Sequence, residues 1–122
     1  FSSSDIISLH LPLNDKTRDL VDGKLISLMK RGAVLVNASR GPVVDSRALA
    51  AALGSGAIRG ACIDVFETEP PIAGDHPLLN AKGALLSPHV AFATEESFVL
   101  RAEIVFGNIE AWLSGRPRNL VS

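Results

Sequence analysis

Residues 33 to 44 read AVLVNASRGPVV: the aliphatic run Ala33-Val34-Leu35-Val36, then Asn37-Ala38-Ser39-Arg40, then Gly41-Pro42. The run is short, β-branched and bounded by polar and turn residues, which is the pattern of a strand with both faces covered. It ends on a cation held ahead of a stiff glycine-proline turn. In an open parallel sheet, ligands bind beyond the carboxyl ends of the strands, so Arg40 stands where a ligand would be met. Read alone, Arg40 is equally a surface turn residue, and the pattern does not choose.

Three more short apolar runs lie to either side, at residues 5–9, 58–65 and 84–87. Between them are helical patterns. Leu20, Val21, Leu25, Leu28 and Met29 form a stripe that stops at Arg31-Gly32, where the glycine is available for a left-handed cap. Asp45 or Ser46 can cap a second helix, with Leu49, Ala52 and Leu53 facing inward before Gly54-Ser55-Gly56 closes it. Residues 66–83 are too punctuated by Pro70, Pro71, Gly74, Pro77 and Gly83 for a long helix and are expected as a long loop, with one turn at His76-Pro77-Leu78-Leu79. A last helix of about 20 residues is expected from near Thr94-Glu95-Glu96 to Ser114-Gly115, its stripe Phe98, Val99, Ala102, Val105, Phe106, Ile109 and Trp112 read as packing.

Strand and helix alternating through short connections imply an α/β fold with a parallel sheet and right-handed crossovers, a partial Rossmann-like doubly wound sheet. A complete nucleotide-binding domain of that kind opens with a strand, a glycine-rich phosphate turn and a helix, and none stands at the start of this chain. Gly54-x-Gly56-x-x-x-Gly60 has one residue too many and sits between a helix and the next strand, so it is read as structural.

With 122 residues and 47% hydrophobic content, the chain has room for one domain that buries about two thirds of its unfolded surface. Its 12 basic and 13 acidic residues nearly cancel without blocks of one sign, so neither a nucleic-acid footprint nor a membrane surface is expected. No apolar run approaches the roughly 20 residues needed to span a bilayer, and a cytoplasmic protein is expected. The single cysteine, Cys62, reads as a small buried apolar residue, and no metal is expected.

The sheet topology would deliver to one edge His10 and Pro12 after the first strand, Asn37, Ser39 and Arg40 after the second, Asp64 with Glu67 and Glu69 after the third, and His89 after the fourth. A guanidinium offers parallel donors to a carboxylate and polarises a neighbouring carbonyl. A histidine gives or takes an alcohol proton near neutral pH, and a carboxylate bonded to it favours the imidazolium. Residue types thus point to proton transfer beside an anionic 2-oxo or 2-hydroxy acid. Sequence spacing alone proves no contact between them. The structural alternatives are a capping Asp64, a satisfied surface His10, a packing or capping His76 and a solvated Glu67.

SDIISLHLPL (4–13), LMKRGAVLVNASRGPVVD (28–45), GACIDVFETEP (60–70) and LLSPHVAFATEES (85–97) resemble, in order, signatures of the NAD-dependent D-isomer-specific 2-hydroxyacid dehydrogenases. The resemblance implies Arg40 as the substrate-binding catalytic arginine, His89 as the acid/base and Glu69 as its partner. It also implies that His10, Pro12, Asn37, Ala38, Ser39, Arg40, Asp64, His89 and Ala91 contact the cofactor, NAD or NADP, and that hydride passes between the nicotinamide and C2 of a small 2-hydroxy or 2-oxo acid. Members of the family pack as dimers, and a homodimer is expected. Against the family pattern the glycine-rich turn and the ribose-holding acid are absent, so residues 1–115 are expected as the back half of the cofactor domain and 116–122 as the start of a return to a missing substrate domain. Such a piece alone should bind NAD poorly and catalyse nothing. Phe92 resembles the glycerate, hydroxypyruvate or lactate branches more than the phosphoglycerate branch. The rival readings are an NAD-responsive non-catalytic corepressor and a stand-alone dimerisation module.

Overall fold

The computed structural model of the chain describes residues 1–121; Ser122, the last residue of the expected return segment, lies outside them. The chain divides into two compact units, the first comprising residues 1–90 and the second beginning at Ala91.

The first unit is a four-stranded sheet in the order β1 (Ile6–Leu9), β2 (Val34–Asn37), β3 (Gly60–Ile63) and β4 (Ala84–Leu86), with all neighbours parallel. Helix α1 (Gly23–Ser27) joins β1 to β2, and α2 (Ser46–Gly54) joins β2 to β3. Residues 64–83 join β3 to β4 without a helix, and within them Leu79 N–H bonds the His76 carbonyl at 3.0 Å to make the expected turn.

The register puts Ile7, Leu35, Ala61 and Ala84 on one face of the sheet, followed by Leu9, Asn37, Ile63 and Leu86. On this face Leu9, Leu35, Ala61 and Ile63 pack with Ile26 of α1 and Leu49 and Leu53 of α2 into one core. Strands added always in the same direction, through crossovers of one hand, keep their helices on one side. Neither α1 nor α2 lies on the opposite face, and the expectation that both faces are covered is not met within this unit. Ile6 and Leu85 there are 68% and 70% exposed, and Val34, Val36 and Cys62 are half-buried. Cys62 is thus on the open face, not in the core as its small-residue neighbours implied.

Asp45 caps α2 by accepting from the N–H groups of Arg47 and Ala48, and the helix ends with Gly56 at φ +69°. Gly56 N–H reaches the Leu53 carbonyl and Ala57 N–H the Ala52 carbonyl, a paired closure that needs a left-handed residue between them. This is the role of Gly56 in the Gly54-x-Gly56 stretch. Around α1 the expectation fails: the stripe from Leu20 to Met29 is not one helix. Asp22 accepts from Leu25 N–H and so starts the helix only at Gly23, while Val21 lies in an extended bridge with Val44. Leu20 and Leu28 are left exposed, the helix closes at Leu28, and Gly32 is not left-handed.

The second unit is α3 (Glu95–Leu113) and its flanks. Thr94 Oγ1 accepts from Ser97 N–H, Glu95 and Glu96 occupy the first turn, and Gly115 at φ +72° closes the far end as Gly56 does for α2. Both ends fall where the sequence puts them. The stripe does not behave as packing: no residue of α3 is buried, and Phe98, Phe106 and Trp112 are 54%, 66% and 69% exposed. Phe92 meets Phe98 edge to face and lies 4.8 Å under the Arg101 guanidinium. Among the described residues, no helix is long and apolar enough to cross a membrane.

Candidate active site at the carboxyl edge of the sheet

Asn37 closes β2 and is 1% exposed, an amide sealed inside the chain with its hydrogen-bonding capacity directed at the next turn. Its Oδ1 accepts from the Ser39 N–H and hydroxyl at 3.1 and 2.9 Å, and its Nδ2 donates to the Arg40 carbonyl at 3.0 Å. One buried side chain therefore fixes the path of residues 38–40, leaving Ala38 and Arg40 exposed. Arg40 Nη1 donates to the Ser39 carbonyl at 2.6 Å. Gly41 then turns the chain into a short 3-10 turn with Pro42 inside it. A Cβ at Gly41 would lie 2.0 Å from the Phe66 carbonyl carbon and 2.5 Å from Glu67 N. This glycine is required by close backbone approach, not by a left-handed φ, and it presses the arginine turn against the start of the 64–83 loop.

That loop carries the acid. Glu69 folds back so that its Oε1 accepts from Phe66 N–H at 2.7 Å while its Oε2 meets His89 Nδ1 at 2.5 Å. Partial burial pushes the Glu69 carboxyl up; the Phe66 N–H and the neighbouring His89 outweigh that and the repulsion of Asp64, and hold it below the ordinary glutamate value. His89 sits after β4 at φ +56°, a left-handed conformation uncommon for a residue with a side chain. With Nδ1 engaged by a carboxylate, proton exchange with a ligand would pass through Nε2. Phe66, Pro70, Ile72 and Pro88 surround the pair at a cavity of about 150 Å³.

Asp64 follows β3 and is 5% exposed. Its N–H bonds the Asn37 carbonyl at 2.9 Å, and its Oδ1 accepts from Ser87 Oγ at 2.5 Å and Val90 N–H at 2.9 Å. It thereby ties the ends of β2, β3 and β4 together on both sides of His89. Ser87 and the Phe66 N–H escape a reading by residue type; a serine two residues before the histidine was the only available signal. Glu67, expected as solvated, is instead paired with His76 Nε2 at 2.9 Å. His76 packs edge-on against Phe66 and takes the Leu78 N–H on Nδ1, as a packing and capping residue would.

His10 and Pro12 are exposed after β1; the His10 ring meets Ser8 Oγ, and the Pro12 carbonyl accepts from Thr17. Ala91 belongs to the second unit. Of the expected residues, then, Glu69 and His89 are in direct contact, Asp64 and Asn37 brace the strand ends that carry them, and Arg40 is linked to them through the Gly41 backbone.

Residues 1–91 match the family model described as D-isomer specific 2-hydroxyacid dehydrogenase, NAD binding domain. The chain belongs to this family. A hydroxypyruvate reductase of Blautia hydrogenotrophica is 42% identical over 99% of the chain and 37% of its own length, and a glyoxylate reductase of Aeropyrum pernix is 46% identical over 98% and 36%. The NAD-complexed D-isomer specific 2-hydroxyacid dehydrogenase of Lactobacillus delbrueckii ssp. bulgaricus superposes with a TM-score of 0.85 at 30% identity, over 99% of the chain and 40% of that structure. The chain thus spans rather more than a third of the length of the dehydrogenases and reductases it matches. Membership of this dehydrogenase family agrees with the parallel sheet.

Proposed function

We propose that the protein is an NAD(H)-linked oxidoreductase that interconverts D-2-hydroxy acids and 2-oxo acids, with residues 1–115 forming the back half of its cofactor domain and 116–122 leading back toward a substrate domain. The observation that carries this reading is the contact of His89 Nδ1 with Glu69, whose other oxygen is fixed by the Phe66 N–H. A carboxylate so oriented engages Nδ1 and fixes the ring, with Nε2 as the nitrogen that would exchange the proton. Glu69 and His89 form the acid/base pair. In the reductive direction His89 donates the Nε2 proton to the 2-oxo oxygen, and in the oxidative direction it takes that proton back. Arg40 binds the substrate carboxylate through its guanidinium fork and polarises the adjacent carbonyl.

The residues at the sheet edge fit a nicotinamide dinucleotide: His10, Pro12, Ala38 and Arg40 are exposed at the ends of adjacent strands, and Asn37 shapes the turn between them. Ser39, Asp64 and His89 complete the set that would hold it. When bound, the cofactor supplies or accepts the hydride at substrate C2. The exposed apolar side chains of α3, with none buried in the chain, fit a homodimer, which sedimentation of the full-length protein tests. The absence of a spanning helix among the described residues accords with a cytoplasmic enzyme.

The deciding experiment follows oxidation of NADH and NADPH by the full-length protein with glyoxylate, hydroxypyruvate, 3-phosphohydroxypyruvate and pyruvate, for the parent and for His89→Ala. Turnover by the parent and its loss in the variant are expected; parental turnover in His89→Ala would overturn the assignment. Arg40→Lys keeps the charge and loses the fork, so it should raise the KM for the oxo acid more than the Kd for NADH. An unchanged kcat/KM for the acid would remove Arg40 from its role.

A further inference from the structure

The loop that carries Glu69 is held by a second imidazole and carboxylate that the proposed reaction does not use. Glu67 Oε2 meets His76 Nε2 at 2.9 Å, His76 lies edge-on to the Phe66 ring with centroids 5.4 Å apart, and the Leu78 N–H closes on His76 Nδ1 at 3.3 Å. The His76 side chain is 12% exposed, which marks a packed ring in place of a surface one. On the other side of the same backbone, Gly41 abuts the carbonyl of Phe66 and the nitrogen of Glu67. The segment is therefore gripped from two directions. The Phe66 N–H of this segment donates to Glu69 Oε1 at 2.7 Å and orients it.

We infer that Glu67 is a positioning residue: paired with His76, it fixes the Phe66-Glu67 segment whose N–H aims Glu69 at His89, and it acts on the proton-transferring imidazole only through Glu69. This rests on the functional reading above. Burial pushes the Glu67 carboxyl up, but the Ser46 hydroxyl and His76 outweigh it and hold it below the usual glutamate range, so the pair is charged on the carboxylate side at neutral pH. Ser46 is the first residue of α2 and is 9% exposed, so Glu67 also ties the loop to the helix that follows the arginine turn.

The consequence is specific. If Glu67 lets go, Glu69 loses a fixed donor and grips His89 less well. Proton transfer then slows, because the ring is held less firmly in its working position. The test measures kcat and KM for reduction of the preferred oxo acid in the full-length protein carrying Glu67→Gln, His76→Phe, Glu69→Gln and the Glu67→Gln/Glu69→Gln pair. His76→Phe keeps a ring against Phe66 and removes the hydrogen bond, so it serves where Glu67→Gln folds poorly. Glu67→Gln should lower kcat a few-fold, with the KM for the oxo acid and the Kd for NADH unchanged. On the Glu69→Gln background the same change should add nothing, because its route to His89 is gone. A parental kcat in the folded single variants, or an effect that multiplies in full on Glu69→Gln, would overturn the inference. If His89→Ala is inactive while Glu67→Gln is normal, only this inference falls; if His89→Ala is active, the functional reading falls first.

Discussion

Two imidazole and carboxylate pairs stand within residues 67–89, and they are built in opposite senses. His89 meets Glu69 through Nδ1 at 2.5 Å, with a side chain 41% exposed. His76 meets Glu67 through Nε2 at 2.9 Å, with a side chain 12% exposed and Nδ1 taken by a backbone N–H. The residue types are the same and the chemistry they permit is not. In the His76 pair both ring nitrogens are engaged within the loop, so the ring can hold but not exchange. In the His89 pair the carboxylate engages Nδ1 and so orients the ring. A histidine beside a glutamate is thus no signature of catalysis; which nitrogen the acid engages decides it.

The largest expected effect separates the pairs by turnover. His89→Ala should reduce kcat by about 10²–10⁴-fold, the usual worth of a positioned acid/base, while His76→Phe should cost only a few-fold. Equal losses would erase the distinction. Next comes the backbone seam that serves both pairs. Gly41→Ala would drive a Cβ to 2.0 Å from the Phe66 carbonyl carbon, where rigid backbone cannot yield as a side-chain tip can. It should destabilise the protein by about 1–3 kcal/mol or more in denaturant unfolding and lower activity besides; a variant of parental stability would show that the arginine turn and the acid loop are not locked together.

The smallest effect is on acid stability. Both Glu69 and Glu67 are held below their ordinary values by hydrogen bonds and a neighbouring histidine, against burial. A depressed folded pKa contributes stability that is complete above the unfolded value, about 4.3, and is lost as pH falls toward the folded value. Unfolding free energy should therefore decline on acidification through the carboxylate range, and less steeply in Glu69→Gln and Glu67→Gln than in the parent. Identical slopes would show that neither pair is linked to folding.

Much of this was legible in the sequence, and the reasons differ by element. The strands β1 to β4 announced themselves because short apolar runs bounded by polar and turn residues have few other uses, and α2 and α3 because Asp45, Thr94, Gly56 and Gly115 mark helix ends by local hydrogen bonding. The helix expected over 20–29 was wrong because an apolar stripe does not reveal that Asp22 caps from inside it. The apolar stripe on α3 has the right period, but periodicity says which side is apolar and not whether this chain covers it. At the site, residue types singled out Arg40, Glu69 and His89, and the order of four motifs gave their proposed roles. Glu67 is exposed as expected, but its pairing with His76 was not legible because that partner is nine residues away across a turn. The clamp of Asp64 on Ser87 and Val90 spans 23 and 26 residues, a separation at which sequence carries no geometry.

The most direct test needs no substrate. A long-range ¹H–¹⁵N spectrum of the three histidine rings, recorded in the 122-residue chain well above the ordinary histidine pKa of about 6.5, reports which nitrogen of each neutral ring carries the proton. His89 should be protonated on Nδ1 and His76 on Nε2, and Glu69→Gln should disturb the His89 tautomer while leaving that of His76 in place. A His89 ring protonated on Nε2, or a His89 tautomer unmoved by Glu69→Gln, would contradict the assignment of Glu69 and His89 as the working pair.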